Sequence, residues 1–487
     1  MNHRRTCHTV LAAALVLAGG CTLGPDYRRP DAPVPTAFKE AAGWKPAAPG
    51  DASPRGPWWE AFGDPVLNEL EGRVAASNFT LQQAAANYEE ARQVARADRT
   101  ALLPSVSAVG TADRNYSARA QAGSKAGAYS SFGADLQASW EPDFWGRARR
   151  TTEAATATAQ ASAADLASAR LSTEAALAEY YIGLRILDEK KRLLENAIGA
   201  YARTLQISKN KYAVGVAARS DVLFAETELD STRVQALDVA IQRSQYEHAI
   251  AVLTGRPPLE LSIAPGGVAG ISVPAIPPAV PSTLLERRPD ISAAERAMAA
   301  ANANIGVQTA GWFPNLTLSG AAGFAGSPAS ELFTAPNRIW SLGSQLGMNL
   351  FDAGQQGDLV KEARASYEAS VANYRSTVLG AIQQVEDDLV SLRVLGQEVQ
   401  IQDSAVSEAA QATKITLNEY VAGTVDFTTV TTAQVTELNS RETALAILQS
   451  RLNSSVALVG ALGGGWSTAD LPSSHQVVGS SSAGIPR

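Results

Sequence analysis

Two stretches without proline, residues 143–256 and 337–471, carry apolar residues at three- and four-residue steps on a background rich in Ala, Glu, Gln, Lys and Arg, which predicts long helices. Each stretch is broken once by a glycine turn, Tyr212-Ala213-Val214-Gly215 in the first and Tyr420-Val421-Ala422-Gly423 in the second. Past the turns, Val222 and Ala225 answer to Val430 and Ala433 at the same separation, so the chain contains an internal duplication. A continuous helix over 143–212 would reach about 105 Å, far beyond a globular domain. Within it Leu177, Tyr180, Leu184, Leu187, Leu194, Ile198, Tyr201, Leu205 and Tyr212 form a heptad seam, interrupted by Lys191 and Ser208. The second copy keeps Val385, Leu392, Leu395, Val399 and Val406 but sets Asp388 and Gln402 in the same line. Its packing is therefore expected to differ, with that face toward water. Glycine suits the left-handed residue just past a helix end, and Ser220 or Asp221, then Thr424 or Asp426, are placed to cap the returning helices.

Ahead of each long helix the period changes. Residues 67–103 read as helix, with a pause at Ser77-Asn78 and a stop at Pro104, and residues 105–117 follow as a strand. In the next strand, 132–141, Phe132, Ala134, Leu136, Ala138 and Trp140 share one face and Gly133, Asp135, Gln137, Ser139 and Glu141 the other. The second half repeats this order. A helix runs from Pro289-Asp290 to Trp312-Phe313 and Pro314 stops it. Leu316, Leu318, Ala322 and Phe324 then alternate with Asn315, Thr317 and Ser319, and Trp340, Leu342, Leu346, Met348 and Leu350 lie opposite Ser341, Gly343, Gln345 and Asn349. Four strands cannot close a barrel, for which about eight are needed. A lipid-facing sheet would have to be completed by other copies of the chain, two giving eight strands and three giving twelve.

The 487 residues carry a formal charge of -7 with no cluster of Lys or Arg interleaved with aromatics, which excludes a nucleic-acid footprint. No run of about 18 apolar residues is present to span a bilayer as a helix. The two cysteines, Cys7 and Cys21, lie at the extreme N-terminus and the four histidines are scattered, so neither a disulfide framework nor a His/Cys metal site is expected. Arg4 and Arg5, the apolar run 10–18 and the exit Gly19-Gly20-Cys21 describe a bacterial export signal. Leu17-Ala18-Gly19-Gly20-Cys21 is similar to a lipobox, with Leu one place earlier than usual, which implies acylation of Cys21; Thr22 after it implies transport onward to the outer membrane. The proline-rich segment that follows favours an extended strap, pinned by Trp58-Trp59. The expected organisation is a signal peptide at 1–20, a strap at 21–63, repeats at 64–280 and 281–465, and a flexible tail at 466–487. The chain holds no Gly-x-Ser-x-Gly elbow, phosphate loop, His-Glu-x-x-His or dinucleotide fingerprint, so an enzyme is not expected. A periplasmic coiled-coil tether would account for Cys21 and the heptads but not for the strands.

The chain resembles the outer membrane efflux protein family, the TolC-like channels, in its OprM/NodT-type lipoprotein branch. The residues that carry the resemblance are Cys21-Thr22-Leu23-Gly24-Pro25-Asp26-Tyr27-Arg28-Arg29-Pro30, Leu284-Leu285-Glu286-Arg287-Arg288-Pro289-Asp290-Ile291, Phe313-Pro314-Asn315-Leu316 and both Tyr-x-x-Gly turns. The resemblance implies a mixed α and β membrane protein with four transmembrane strands and very long periplasmic helices per chain. Three chains would form a twelve-stranded β-barrel continuous with an α-helical barrel. It also implies the exit duct of a tripartite pump that exports small molecules across the outer membrane, with a protein-secretion duct as the alternative cargo class. Its partners would be two further copies in a homotrimer, a periplasmic adaptor, an inner membrane transporter and outer membrane lipid; no cofactor is implied beyond the covalent lipid on Cys21. The adaptor would dock at Val214, Gly215, Val216, Ala422, Gly423 and Thr424. At the periplasmic gate the family usually has Asp before an Ala-Gln pair. Here Thr432 precedes Ala433-Gln434 and Thr428 stands four residues earlier, leaving Asp221 and Asp426 as the nearest carboxylates.

Overall fold

The computed structural model describes residues 22–41, 57–118, 127–274 and 281–479; the expected signal peptide and Cys21 lie outside them. In chain order the helices are α1 (Pro65–Ser77), α2 (Phe79–Thr100), α3 (Arg147–Ala213), α4 (Arg219–Leu253), α5 (Leu284–Arg287), α6 (Pro289–Ala310), α7 (Gln355–Ala422), α8 (Phe427–Ala461) and α9 (Ser474–Val478). The strands are β1 (Ser105–Ser117), β2 (Gly127–Trp140), β3 (Asn315–Gly326) and β4 (Arg338–Gly347). The duplication is close in length: α3 and α7 have 67 and 68 residues, and α4 and α8 have 35 each. The starts of α3 and α7, and of α4 and α8, are separated by the same interval as Gly215 and Gly423.

The helix read over 67–103 is two helices. Asp64 Oδ1 accepts from the Val66 and Leu67 amides at 2.8 and 3.2 Å to start α1, with Pro65 in the first turn. Asn78 ends α1 and starts α2: its Oδ1 accepts from Leu81 N at 3.0 Å, while its Nδ2 donates to the Leu253 carbonyl at 2.8 Å. The α3 seam is covered at Leu177, Leu184, Leu187, Leu194 and Tyr201, and Ser208 is buried with them; Tyr180 and Tyr212 are exposed instead. On α7 the line is buried at Val385 and Leu392 but only half-buried at Leu395, Val399 and Val406. The main core joins Tyr181, Ile182 and Leu184 of α3, Ile291 and Met298 of α6, Tyr374, Val385 and Leu389 of α7, and Leu452 and Val456 of α8.

The four strands form one antiparallel meander in the order β1-β2-β3-β4. The register aligns the alternation of neighbouring strands: Ala108 opposes Leu136, Leu136 opposes Ala322, and Ala322 opposes Trp340. One face is therefore continuous in Val106, Leu136, Trp140, Trp340 and Leu342, all exposed in the single chain. The expected assembly is corrected here. In place of a twelve-stranded barrel continuous with a helical barrel and crossed by four transmembrane strands, the chain has a small open sheet on a helix-rich body, with β1 and β4 as unpaired edges. Four strands leave two edges, and the twist between neighbours cannot bring those edges together below about eight strands. No helix among the described residues is long and apolar enough to cross a membrane.

Residues 22–35 lie along the body without regular structure, and the segment ends in a 3-10 turn at Lys39–Ala41. Leu23 N donates to the Trp145 carbonyl at 3.1 Å, Arg150 bonds the Leu23 carbonyl at 3.1 Å and Asp26 at 2.9 Å, and Asn302 donates to the Pro25 carbonyl at 2.9 Å. Gly24 and Gly306 meet backbone to backbone: a Cβ on Gly24 would stand 2.4 Å from Gly306 Cα. Further along, Glu386 accepts from the Lys39 and Glu40 amides at 2.6 and 2.8 Å. Trp58 and Trp59 are buried at the strap's far end, with Trp58 Nε1 donating to Glu174 at 3.3 Å. The tail expected to be flexible over 466–487 is instead docked where it is described. Val477 is fully buried against Ala95 and Ala159, Arg96 donates to the Val477 carbonyl at 3.2 Å, and Gln160 donates to the Pro472 carbonyl at 2.9 Å. Capping boxes at Ser467 and Ser473 supply the local order that its composition conceals.

Candidate functional site

The far ends of the hairpins hold the candidate docking residues. Gly215 and Gly423 have φ of +76° and +83°. A Cβ at either would meet nothing within 4 Å, so the left-handed backbone, not space, calls for glycine. Val216 N donates to the Lys211 carbonyl at 2.9 Å, and Thr424 N to the Glu419 carbonyl at 3.0 Å, closing the two turns alike. Val214 and Val216 are 73% and 70% exposed, and Gly215, Ala422, Gly423 and Thr424 are exposed with them. The caps differ. Asp426 Oδ1 accepts from the Thr429 amide at 2.9 Å and its hydroxyl at 2.7 Å, whereas Ala218, at the capping position of α4, supplies no side-chain cap. Ser220 and Asp221, expected as caps, lie inside the first turn of α4, two and three residues past the capping position.

Just behind the tips, a polar network that sequence reasoning missed joins the two hairpins. Tyr420 is buried; its hydroxyl is hydrogen-bonded to Ser208 Oγ at 3.2 Å, and its ring meets Phe427 edge-on with centroids 5.5 Å apart. Lys211 donates to the Tyr420 carbonyl and lies 4.2 Å from the ring centroid. Deeper in, Gln434 Nε2 donates to Thr204 Oγ1 at 3.0 Å, and the Tyr201 hydroxyl donates to the Gln434 carbonyl at 3.2 Å. Tyr201, Thr204, Ser208 and Gln434 are all buried, and burial pushes the Tyr201 hydroxyl pKa up, with Glu228, Glu437 and Glu442 adding to it. The available signal was Ser208 itself, since a polar residue inside an apolar seam needs a hydrogen-bonding partner across it.

The gate candidates fall on two elements. Thr428 and Thr432 lie on an exposed stripe of α8 with Thr436. Thr432 Oγ1 donates to the Thr428 carbonyl at 2.9 Å and Thr436 Oγ1 to the Thr432 carbonyl at 2.7 Å. With the protons of Thr432 and Thr436 given to the helix, the stripe offers methyls and hydroxyl oxygens but no charge. Together with Ala409, Ala412 and Thr416 of α7 they line an open groove of about 470 Å³. Asp426 is occupied as a cap, and its hydrogen bonds from the Thr429 side chain and backbone lower its pKa. Asp221 is half-buried beside Ser220 Oγ at 3.4 Å, so the structure does not join the two aspartates. Higher on α7, burial, then Asp387 and Glu179, push Asp388 up to about 7. Among the described residues no group of three or more His, Cys, Asp or Glu is placed to hold a metal ion.

Comparison with known proteins fits this layout. The profile of the family described as "Outer membrane efflux protein" matches residues 71–256 and 280–464, one match in each repeat. The chain is 30% identical over 469 residues to the toluene efflux pump outer membrane protein TtgF of Pseudomonas putida, covering 94% of this chain and 97% of that protein. It is 30% identical over 464 residues to the pyoverdine export outer membrane protein OpmQ of Pseudomonas aeruginosa, covering 94% and 96%. Among solved structures, the outer-membrane channel OprN superposes with a TM-score of 0.84 at 29% identity, over 92% of this chain and 100% of that one.

Proposed function

The chain belongs to the outer membrane efflux protein family, and on that premise we propose that it is the exit duct through which a tripartite pump expels small molecules from the periplasm. It is a non-catalytic outer membrane efflux protein of the kind that works in such pumps. The observation that carries the finer reading is likeness to efflux and export channels over 94% of the chain in sequence and 92% in fold. Small-molecule cargo is supported by relatives named for toluene and for pyoverdine.

The duct is a homotrimer whose six exposed tip residues, Val214, Gly215, Val216, Ala422, Gly423 and Thr424, receive a periplasmic adaptor, which links it to an inner membrane transporter. Two like tips at the ends of two like hairpins support this, because their small side chains leave the backbone open to a docking surface. Thr428 and Thr432 line the gate with Asp221 and Asp426 beside it. A threonine lining is nearly indifferent to the charge of what passes, and Asp426 is already engaged at its helix start. Cys21 carries the lipid anchor. The mature start is held for it, since the Leu23 amide is fixed to Trp145 just beyond the sheet.

Single-channel conductance in a planar bilayer, alongside oligomer mass in detergent, tests the duct. Inserting trimers that conduct, even rarely, support the reading, and monomers that never conduct overturn it. Gly215→Pro and Gly423→Pro are expected to abolish adaptor capture while trimers persist, and full export by both variants would count against docking at the tips.

A further inference from the structure

The segment from Pro472 to Gly479 is held to the body by very little of itself. Ser473, Ser474, His475 and Gln476 are exposed, and Val477 alone is fully buried, against Ala95 of α2 and Ala159 of α3. The remaining contacts are made to its backbone. Gln160 Nε2 donates to the Pro472 carbonyl at 2.9 Å, Arg96 Nε to the Val477 carbonyl at 3.2 Å, and Arg99 to the Gly479 carbonyl. The turn between them is set locally by the Ser473–Gln476 capping box, so the segment carries its bound shape within its own sequence. One apolar side chain in a pocket, with carbonyls read by long donors on the receiving surface, is how a protein binds a peptide.

The second repeat shows what this surface is without such an occupant. At the separation that relates Pro104 to Pro314, Ala95, Arg96 and Arg99 correspond to Ile305, Gly306 and Thr309. At the separation that relates Gly215 to Gly423, Ala159 and Gln160 correspond to Tyr367 and Glu368. Ile305 is buried and Tyr367 packs against the main core, so larger side chains stand where the first repeat has alanines and admits Val477. None of the three donors recurs: Gly306 has no side chain, Glu368 only accepts when ionised, and the Thr309 hydroxyl is given to the Ile305 carbonyl at 2.7 Å. We propose that α2 and α3 of the first repeat form a peptide-binding groove whose ligand is the chain's own Pro472–Gly479 segment, a detachable clasp rather than a fixed part of the body. A segment held by one buried side chain opens at low cost compared with the core. Its place gives it a role, because α2 leads into β1 and β2 leads into α3. The clasp therefore ties together the two helices that carry the β1–β2 hairpin, and, lying near the end of the chain, it closes only after both repeats have been made.

Binding in trans tests the groove in the full chain. Val477→Asp should expel the segment and leave the groove empty, with helical circular dichroism retained. That variant is expected to bind a fluorescent synthetic peptide of residues 472–479 saturably, read by anisotropy, while the unchanged protein, its groove already filled, takes up little. The same peptide carrying Val477→Asp should bind roughly tenfold more weakly or worse, and adding Arg96→Ala to the receiving chain should weaken the unchanged peptide by about tenfold. Ala159→Tyr, which installs the residue of the second repeat, is expected to speed hydrogen exchange across 472–479 and to block the peptide. Absence of saturable binding, or equal binding of both peptides, overturns the groove. Slow exchange retained in Ala159→Tyr does so as well, and loss of helical signal in Val477→Asp would make the segment a fixed part of the body instead of a ligand.

Discussion

The α3/α4 and α7/α8 hairpins have the same lengths, the same turns and the same spacing, but one of their two matching faces is sealed and the other is open. Leu194 of the first is fully buried, and its counterpart Gln402 is half-exposed, with Nε2 donating to the Ser440 carbonyl at 2.7 Å. Tyr201 and Thr204 are buried where Ala409 and Ala412 are not. The two copies therefore differ in chemistry at matching positions. The buried face carries Tyr201 and Thr204, which hydrogen-bond to Gln434 within the chain, and the open face carries Ala409 and Ala412.

The largest expected effect comes from cutting into the sealed side. Leu194→Ala is expected to cost about 2–5 kcal/mol, read from melting in detergent, while Gln402→Ala at the matching position stays within about 0.5 kcal/mol. Equal losses would mean that the two faces are equally packed. Next is a carboxyl confined to the first repeat. Glu71 is fully buried, neither oxygen has a hydrogen-bond partner among the described residues, and burial followed by the charge of Glu174 pushes its pKa from 4.5 up to about 9. The folded chain therefore holds a proton that the unfolded chain releases. Its contribution to stability is complete below about 4.5 and falls by roughly 1.4 kcal/mol per pH unit as pH rises toward 9. Glu71→Gln should stabilise the protein at pH 8 and scarcely at pH 5, and a gap that does not grow with pH would contradict the assignment.

Smaller effects sharpen the contrast at the tips. Gln434→Ala removes the donor to Thr204 and is expected to cost about 1–2 kcal/mol, against less than about 1 kcal/mol for Glu226→Ala at the matching position, where the half-exposed carboxylate pairs with Lys209 at 2.8 Å. Smallest is the cap. Asp426→Ala should cost about 1 kcal/mol, and Ala218→Asp, which installs the missing cap on α4, should return a few tenths to about 1 kcal/mol. Hydrogen exchange at the first turns of α8 and α4 would register both changes locally.

Much of this was legible because it is local. Proline at 104 and 314, the change of period from helical to alternating, and glycine after each long helix are short-range signals, and the elements fall within a few residues of where they point. The candidate tips were legible for the same reason, since a left-handed residue between two helices leaves few choices but glycine. Ser208 was visible only as a flaw in a seam. Its partner Tyr420 lies more than two hundred residues away, and no periodicity connects them. The same distance hid the Gln434–Thr204 bond and the docking of Val477, whose polar neighbourhood reads as a tail.

By itself the sequence determined the duplication, the order of helices and strands, the turns, the absence of enzymatic motifs and the family, because each depends on residues close together or on a motif read in line. Only the tertiary structure decided that Asp426, and not Thr424, is spent on a helix start, that the tail around Val477 is docked, and that one of two like faces is buried while the other is not. Those outcomes depend on which surface meets which across long separations, and an amphipathic pattern states that a face needs cover without naming what covers it.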